Sequence, residues 1–300
     1  RHQFAADGAV ASKRSQVTSY VQYIAPSQTT GQPVLARYYF HNGVVQHLPN
    51  KDAEWKYGRC AVVSNSGELL TGPMHGEEID SMDAVFRINY PPILGFEKFV
   101  GNKTTFEMVN HHHAQLIADP TFEHSVIPLG AKAFRAAPAK EDSHTTLVLI
   151  ESTNFEGWRF SMVPKLLHRF PPPHTMILSP DFVVASEAVW KNVSIEAHEE
   201  MQEAAGAKKT RPCAKVSRST GMEGYCKATS GWFTTMFAAQ ICREVHMFGF
   251  SAWTKHSAQN TPKARYHYFN NVTGVTNVHS FNIQLQVYHK LSRRFPIILH

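Results

Sequence analysis

The sequence predicts an α/β protein built on a single parallel-rich sheet flanked by helices, and three observations support this prediction. Short apolar runs recur along the chain, as at Cys60–Val63, Ala84–Phe86 and Leu147–Ile150. Segments of helical length, such as Gly231–Ile241, alternate with these runs. A small polar turn, Asn65-Ser66-Gly67, directly follows the first run, and parallel sheets bind ligands where such turns follow strands.

The predicted elements follow one another in the order of a Rossmann-like, doubly wound sheet. The second strand delivers Arg87 and Asn89 just past its end. Further strands are predicted at Met176–Leu178 and Val245–Phe250, and further helices at 158–170, Pro180–Trp190 and Phe281–Leu291. The polar stretch from Glu199 to Lys215 predicts a surface excursion. Residues 1–50 are expected to form an N-terminal segment, followed by one domain over residues 51–300.

Composition and charge exclude several classes of protein. Hydrophobic residues make up 43% of the 300 residues and charged residues 18%, which is typical of a packed globular chain. The net charge of +6 is spread along the chain without a focused basic patch, so nucleic acid is not an expected partner. The positive excess fits a small anionic substrate, or it serves solubility alone.

Three glycosylation sequons and four cysteines indicate the lumen of the secretory pathway. The sequons begin at Asn102, Asn192 and Asn271. The cysteines are Cys60, Cys213, Cys226 and Cys242, an even number that allows three pairings and lacks the close spacing of a zinc site. The sequence has no run of 18 apolar residues and begins at Arg1 rather than Met, so we expect any membrane anchor to lie upstream.

Two histidines in the C-terminal part are candidates for acid–base chemistry. His267 and His279 both follow the strand that carries Gly249, on the side where an α/β sheet builds its site. A neutral histidine can take a proton from a sugar hydroxyl, and a protonated one can stabilise a phosphate leaving group. The triplet His111–His113 is not expected to bind metal, because adjacent side chains of an extended chain point to opposite faces.

A third candidate element precedes the apolar helix, where Thr229 and Ser230 come directly before Gly231. Hydroxyl groups and free N–H groups at a helix N-terminus can hold a carboxylate or a phosphate. A plain N-cap explains the same residues equally well.

Taken in order, these segments resemble the eukaryotic sialyltransferase family. Residues Arg59–Thr105 resemble its large sialyl motif through the pieces RCAVV, NSG, EIDS, R-x-N, GFE and VG-x-KTT, although Ser64 stands where a glycine usually precedes NSG. Residues Thr229–Phe250 resemble the small sialyl motif. Tyr266–Phe269 is similar to the third motif and His279–Gln284 to the very small motif.

The resemblance implies a variant of the glycosyltransferase type A fold. It also implies transfer of sialic acid from CMP-sialic acid to a glycan hydroxyl, with inversion and without a metal or other cofactor. The residues implied in binding CMP and the donor are Asn65, Ser66, Asn89, Thr229, Ser230, Gly231 and Gly249. His279 would take the acceptor proton, and His267 would support the departing phosphate.

The cellular setting also follows from the resemblance. Residues 51–300 would be the catalytic domain, and the chain the lumenal part of a type II membrane protein of the Golgi apparatus. The implied acceptor is a glycan on a glycoprotein, a glycolipid or a polysaccharide. Two disulfides are implied as well, Cys60–Cys242 between the large and small motifs and Cys213–Cys226.

Two amides depart from the family pattern. Asn270 stands where the third motif usually has an acid, and Gln284 stands where the very small motif usually ends in Glu. The divergence leaves two alternatives open. One is a transferase that uses another CMP-activated acidic sugar, such as Kdo, and the other is a protein that binds CMP or glycan but catalyses weakly.

Overall fold

The structure is a computed structural model that describes residues 5–6, 17–26, 33–41, 53–118, 145–150, 165–166, 174–208, 226–250, 265–272, 274 and 279–300. Within the N-terminal segment it contains three strands, β1 (Ala5–Ala6), β2 (Val17–Pro26) and β3 (Pro33–His41). These strands form a small antiparallel sheet in the order β1-β2-β3. Most of the predicted helix at 158–170 lies outside the described residues, and so does Cys213.

The centre of the molecule is a seven-stranded sheet. Its strands are β4 (Tyr57–Val63), β5 (Ala84–Ile88), β6 (Phe106–Val109), β7 (Thr146–Leu149), β8 (Thr175–Ile177), β9 (Cys242–Phe248) and β10 (Ile297–Leu299). They are ordered β10-β9-β4-β5-β6-β7-β8, and every neighbouring pair is parallel. The predicted α/β fold with a parallel sheet is therefore confirmed, including its strands at 60–63, 84–86 and 147–150.

Six helices and a 3₁₀ turn lie in the described part of the chain. The turn covers Gly67–Leu70, and the helices are α1 (Gly76–Asp80), α2 (Glu97–Val100), α3 (His111–Ala118), α4 (Pro180–Ala204), α5 (Ser230–Ile241) and α6 (Phe281–Ser292). The predicted helices at 231–241 and 281–291 are confirmed. None of the described helices has both the length and the apolar character needed to cross a membrane.

Helices cover both faces of the sheet, because side chains of a strand alternate between the two faces. On β4, Cys60 and Val62 belong to the core formed with α4, α5 and α6, whereas Ala61 and Val63 pack with α1, α2 and the 3₁₀ turn. Alternation of this kind explains why buried parallel strands appear in the sequence as continuous apolar runs.

Two buried tryptophans fix the helical layer next to the start of α5. Trp190 and Trp232 lie with their rings 5.1 Å apart. The Trp190 indole N–H donates to the carbonyl of Cys226 at 2.6 Å, and that of Trp232 donates to the carbonyl of Ser186 at 3.0 Å. Because both polar ring atoms are hydrogen-bonded, the large apolar surfaces are buried without an unpaired donor. The segment that leads into α5 is thereby tied to α4.

Three local expectations from the sequence are wrong. Helix α4 does not end at Trp190 but continues to Ala204, since its partly polar second half packs against α6 with Ala197 in the core. Arg87 lies inside β5 and is fully buried, not past the strand end. Its guanidinium donates to the carbonyls of Val100, Gly101 and Lys103, so this charge holds a loop together.

The third error concerns the histidine triplet, which is helical and not extended. His111–His113 form the first turn of α3, where Asn110 supplies the N-cap by accepting the backbone N–H of His113 at 3.1 Å. Histidines in a helical turn share one side of the helix more closely than those of a strand do. The argument that adjacent side chains point to opposite faces therefore does not apply to these three histidines.

The Cys60–Cys242 disulfide implied by the resemblance is confirmed, with 6.1 Å between the two Cα atoms. It links neighbouring strands β4 and β9 across 182 residues of sequence, and a loop of that length gives a stabilisation of about 5 kcal/mol on the chain-entropy view. Cys226 is disulfide-bonded as well, while its expected partner Cys213 lies outside the described residues.

Candidate active site

One glycine and three asparagines follow the carboxyl ends of four adjacent strands. In sheet order they are Gly249 after β9, Asn65 after β4, Asn89 after β5 and Asn110 after β6. Because the strands are parallel, these residues lie along the same edge of the sheet. The edge is therefore the candidate site, and it contains three of the residues expected from the sequence together with Asn110, which was not expected.

Asn65 is buried and offers one free polar atom to this edge. Its side chain is 9% exposed, and its amide Nδ2 donates to the carbonyl of Ile88 at 2.9 Å. Its Oδ1 is buried and has no hydrogen-bond partner among the described residues. A buried acceptor without a partner costs about 1–3 kcal/mol, which a donor group of a ligand can offset. The side-chain oxygen of Asn65 is thus suited to accept a hydrogen bond from a hydroxyl or amino group.

Ser64 and Gly249 form the contact that closes β4 against β9. The Ser64 hydroxyl donates to the carbonyl of Gly249 at 2.7 Å and accepts the backbone N–H of Ser66 at 3.1 Å. Gly249 has φ +76°, and a Cβ at this position would lie 2.4 Å from the Ser64 oxygen. Only glycine fits both constraints. The serine that replaces the usual glycine of the motif therefore anchors the turn at Gly249.

Asn89 lies in a constrained turn after β5. Asn89 and Tyr90 both have positive φ values, 62° and 55°. The turn is held by the Asn89 Oδ1, which accepts the Asn110 backbone N–H at 3.0 Å, and by Glu107, which accepts the backbone N–H of Tyr90 at 2.6 Å. Strained backbone of this kind concentrates at functional sites. The Asn89 oxygen is thus committed to joining the β5 and β6 ends.

The segment with His267 packs directly on the Asn65-Ser66-Gly67 turn. The N–H of Gly67 donates to the carbonyl of Arg265 at 2.9 Å, and the N–H of Tyr268 donates to the carbonyl of Asn65 at 2.8 Å. A Cβ on Gly67 would lie within 2.9 Å of the Arg265 backbone, so the approach needs glycine. Ser66 caps the 3₁₀ turn by accepting the N–H of Glu68 at 3.2 Å. These contacts bring His267 to the candidate site.

His267 is held by Asn270 in a defined orientation. The Asn270 Oδ1 accepts the backbone N–H of Val272 at 3.1 Å, which fixes the direction of the amide. Since the same oxygen lies 3.1 Å from His267 Nδ1, that nitrogen must carry the proton that is donated. Burial lowers the pKa of His267 to about 4, and the bond to Asn270 offsets only part of this effect. The imidazole is therefore neutral near pH 7.

His113 repeats the same arrangement and lies close to His267. Asn110 Oδ1 accepts both the backbone N–H and the Nδ1–H of His113, at 3.1 and 2.9 Å. Burial, followed by the nearby charges of His267, His112 and His111, lowers the pKa of His113 to about 3. Sequence reasoning missed Asn110 and His113 as site residues. The available signal was that Asn110 follows a strand directly, as Asn89 does, while Asn65 lies two residues after the end of its strand.

His279 lies beside the start of α5. Its Nδ1 donates to the carbonyl of Lys227 at 2.8 Å, and this bond fixes the tautomer in which Nε2 carries the lone pair. Burial is the main cause that lowers the pKa of His279, with the charge of Lys227 acting in the same direction. A buried, neutral and oriented imidazole of this kind is suited to accept a proton.

The N-terminus of α5 is formed by the expected residues. Thr229 is the N-cap and accepts the N–H of Trp232 at 3.2 Å, while Ser230 is the first helical residue. A Cβ on Gly231 would lie 3.1 Å from the ring of Phe250, which follows Gly249. The helix terminus therefore contacts the same edge of the sheet that carries Gly249 and Asn65. The plain N-cap role of Thr229 is confirmed.

Comparison with known proteins places the chain in a family. The profile described as glycosyltransferase family 29 (sialyltransferase) matches residues 12–294. The chain belongs to this family. It is therefore a sialyltransferase-family glycosyltransferase, as the motif resemblance implied.

Similarity to individual members of the family is low over long alignments. The chain is 23% identical over 255 residues to the alpha-N-acetylgalactosaminide alpha-2,6-sialyltransferase 3 of Rattus norvegicus, covering 83% of this chain and 69% of that protein. The Mus musculus protein of the same name is 23% identical over 235 residues, and the alignment covers 64% of that protein. Over 63 residues the identity to the Bos taurus beta-galactoside alpha-2,6-sialyltransferase 2 is 48%, covering 21% of this chain and 12% of that protein.

Solved structures of the family are similar as well. A crystal structure of a mammalian sialyltransferase has 20% identity and a TM-score of 0.49, covering 86% of this chain and 76% of that chain. Another crystal structure is of a mammalian sialyltransferase in complex with Gal-beta-1-3GalNAc-ortho-nitrophenol, with the same values.

The two positions that depart from the family motifs have different surroundings. Asn270 contacts His267 directly, as described above, so an amide holds the ring where an acid would add charge. Gln284 is 4% exposed and donates through Nε2 to the hydroxyl of Tyr288 at 2.9 Å. His279 Nδ1 donates to the backbone carbonyl of Lys227, so the orientation of the His279 ring comes from a backbone contact. The departure at Asn270 therefore bears on a candidate catalytic histidine through a direct contact.

The three sequon asparagines are exposed. Asn102 lies in the loop after α2, Asn192 on α4 and Asn271 beside Asn270. Exposure is a requirement for glycosylation, so the structure is compatible with all three.

Proposed function

We propose that the chain transfers sialic acid from CMP-sialic acid to a glycan hydroxyl, with inversion at the anomeric carbon and without a metal in the reaction. Membership of glycosyltransferase family 29 supports the donor and the reaction class. The observation that carries the mechanism is the 2.8 Å bond from His279 Nδ1 to the carbonyl of Lys227, which leaves Nε2 to act as a base.

In the proposed step, a bond forms between the acceptor oxygen and the anomeric carbon. At the same time the bond from that carbon to the CMP phosphate oxygen breaks, and CMP leaves with its electron pair. The proton of the acceptor hydroxyl passes to His279 Nε2. The transition state combines a positively charged sugar with a departing phosphate, so oriented donors at the phosphate supply much of the stabilisation.

Donor binding is assigned to the strand ends and to the N-terminus of α5. We assign Asn65, with its unpaired Oδ1, to a hydroxyl of the CMP ribose. Ser66 and Asn89 lie on the same edge and would contact the ribose and phosphate. The N–H groups of Ser230 and Gly231 lie at the positive end of the helix dipole and suit the sialic acid carboxylate. Gly249 would pass close to the cytidine.

His267 is assigned to the leaving phosphate, and its pKa of about 4 sets a condition on this role. A neutral imidazole with its proton on Nδ1 presents a lone pair from Nε2. A bound phosphate adds negative charge nearby, which favours the protonated ring. We therefore propose that His267 takes up a proton when the nucleotide binds and then donates from Nε2 to the phosphate.

The acceptor and the cellular location follow from the relatives. Their names specify N-acetylgalactosaminides and β-galactosides, so we propose a glycan with one of these sugars as acceptor. The Cys60–Cys242 disulfide and the exposed sequons support a lumenal protein of the secretory pathway, which we assign to the Golgi apparatus. A membrane anchor outside this sequence remains part of that proposal.

A second candidate function is favoured by one observation. Asn270 provides an oriented but uncharged partner for His267, so a protein that binds CMP and glycans but transfers weakly is the alternative. Both functions use the same site and differ in the rate of the chemical step.

The deciding experiment is incubation of the chain with CMP-sialic acid and a panel of N-acetylgalactosaminide and β-galactoside glycans, following product by mass spectrometry and CMP release. A matched arm replaces the donor by CMP-Kdo. We expect sialylated product and acceptor-dependent CMP release. Turnover with CMP-Kdo alone would contradict the assigned donor, and tight CMP binding without transfer to any acceptor would support the second function.

A further inference from the structure

A second cluster of histidines and carboxylates lies outside the donor site. His75 directly precedes α1, Glu78 lies within α1, and His300 follows β10. The ligand atoms of these three residues all lie within 4.8 Å of one another. The histidine rings also contact Phe248, at centroid distances of 5.2 Å for His75 and 4.3 Å for His300. The cluster thus joins α1 to the β9 and β10 strands.

The carboxylate of Glu78 lies between the two histidines. Its Oε2 is 3.0 Å from His75 Nδ1, and its Oε1 is 3.7 Å from His300 Nδ1. Tetrahedral zinc with bonds of about 2.0–2.2 Å requires ligand atoms roughly 3.4 Å apart. The separations of 3.0 and 3.7 Å lie on either side of that value.

Outer partners hold the ring of His300 in place beside Glu78. Glu244 Oε1 lies 2.6 Å from His246 Nε2, and so short a contact with a carboxylate requires a proton on that nitrogen. The other ring nitrogen of His246, Nδ1, lies 2.8 Å from His300 Nε2, so the two rings share a hydrogen bond. His300 Nδ1 is left facing Glu78 Oε1.

The surroundings of His300 fit metal binding. Metal-bound histidines characteristically form a hydrogen bond through their second nitrogen, and His300 Nε2 does so with His246 Nδ1. The side chain of Glu78 is 42% exposed, which gives an ion and a water ligand access from solvent.

We infer that His75, Glu78 and His300 bind one zinc ion, with His246 and Glu244 as outer-shell partners. Two imidazoles and a carboxylate are a ligand set that zinc accepts, whereas magnesium and calcium prefer oxygen ligands alone. The site shares no residue with the donor site. A bound ion would fasten α1 to the strand end after β10.

The test uses the full 300-residue chain, treated with EDTA and dialysed, then titrated with Zn²⁺ by calorimetry and followed by thermal unfolding. We expect binding of one equivalent that is lost in His300→Ala and in Glu78→Gln. Zn²⁺ at 100 times its Kd should raise Tm by roughly 5 °C. Glu244→Gln, which alters only the outer shell, should weaken Zn²⁺ binding by about 10–100-fold.

Two controls make the result decisive. His289→Ala removes a histidine of α6 outside the cluster and should keep the wild-type affinity. Comparing Tm values in EDTA shows whether a variant is folded, and Glu78→Gln, which preserves size, decides the matter if His300→Ala does not fold. Wild-type zinc affinity and stoichiometry in Glu78→Gln would overturn the proposal. So would a wild-type chain whose Tm does not respond to Zn²⁺.

Discussion

Two groups of histidines in this protein differ in the partners that hold them. At the candidate active site, His113, His267 and His279 donate from Nδ1 to neutral acceptors, namely two asparagine oxygens and a backbone carbonyl. In the cluster formed by α1, β9 and β10, His75 and His246 lie beside the carboxylates of Glu78 and Glu244. The two groups therefore differ in the charge of their partners.

The partner of a histidine determines which chemical role its side chain can serve. A neutral acceptor fixes the tautomer and the direction of the ring without adding negative charge, so burial lowers the pKa to about 4 for His267 and about 3 for His113. A carboxylate instead creates a place where a cation is stable. The first group is therefore suited to move protons, and the second to hold a positive ion.

The largest effect is expected from His279→Ala, which removes the proposed base. General base catalysis contributes about 10²–10⁴-fold, so kcat for transfer should fall by that factor while CMP affinity stays close to wild type. Steady-state kinetics and calorimetric titration with CMP measure the two quantities. His289→Ala is the matched control and should keep full activity. Transfer at the wild-type rate in His279→Ala would assign the base to another residue.

A smaller effect is expected on stability as pH falls. His113 and His267 have folded-state pKa values of about 3 and 4, below the usual value of 6.5. Between pH 6.5 and 4 the unfolded chain binds more protons than the folded one, so the free energy of unfolding decreases as the pH is lowered. The loss should be roughly 2–2.5 kcal/mol for each histidine. Urea unfolding at pH 7 and 4.5 measures it.

The variant His113→Gln removes one of these groups and should make the unfolding free energy less dependent on pH in that window. His289→Gln provides the control with the same chemical change on α6. If His113→Gln and wild type have the same pH dependence, then His113 is not buried as a neutral ring, and the two histidine groups do not differ in the way described.

The smallest effect is expected when the neutral partner of a histidine is replaced by a carboxylate, which changes the pKa of that histidine. Asn270→Asp places a carboxylate beside His267, so its pKa should rise by about 1 unit or more. NMR titration of the His267 ring measures this shift. Asn271→Asp adds the same charge one residue further along at an exposed position, and it should leave the His267 pKa nearly unchanged. Equal shifts in both variants would mean that the Asn270 contact has no special influence.

Much of the site could be predicted because its residues follow strands that are visible in the sequence. The apolar runs at 60–63 and 84–86 are confirmed as β4 and β5, and Asn65 and Asn89 lie at their ends. The motif resemblance added the Cys60–Cys242 pairing and directed attention to His267 and His279. None of these inferences required knowledge of which distant loops meet.

The errors arose where a local pattern had more than one meaning. Three consecutive histidines appear the same in a strand and in the first turn of a helix, and Asn110 decides for the helix by capping it. Arg87 is charged and near a strand end, yet it is fully buried because three backbone carbonyls of one loop accept hydrogen bonds from it. Such partners are not visible in the residues next to it.

The sequence by itself determined the parallel α/β sheet, the helices α5 and α6 and the polar residues at the strand ends, because hydrophobic periodicity and turn chemistry act over a few residues. Only the tertiary structure decided that His113 lies near His267, that Lys227 orients His279, and that His75 meets His300 across the sheet. These pairs depend on strand order and helix packing, which bring together residues far apart in the chain. The lowered pKa values of His113 and His267 depend on the same packing.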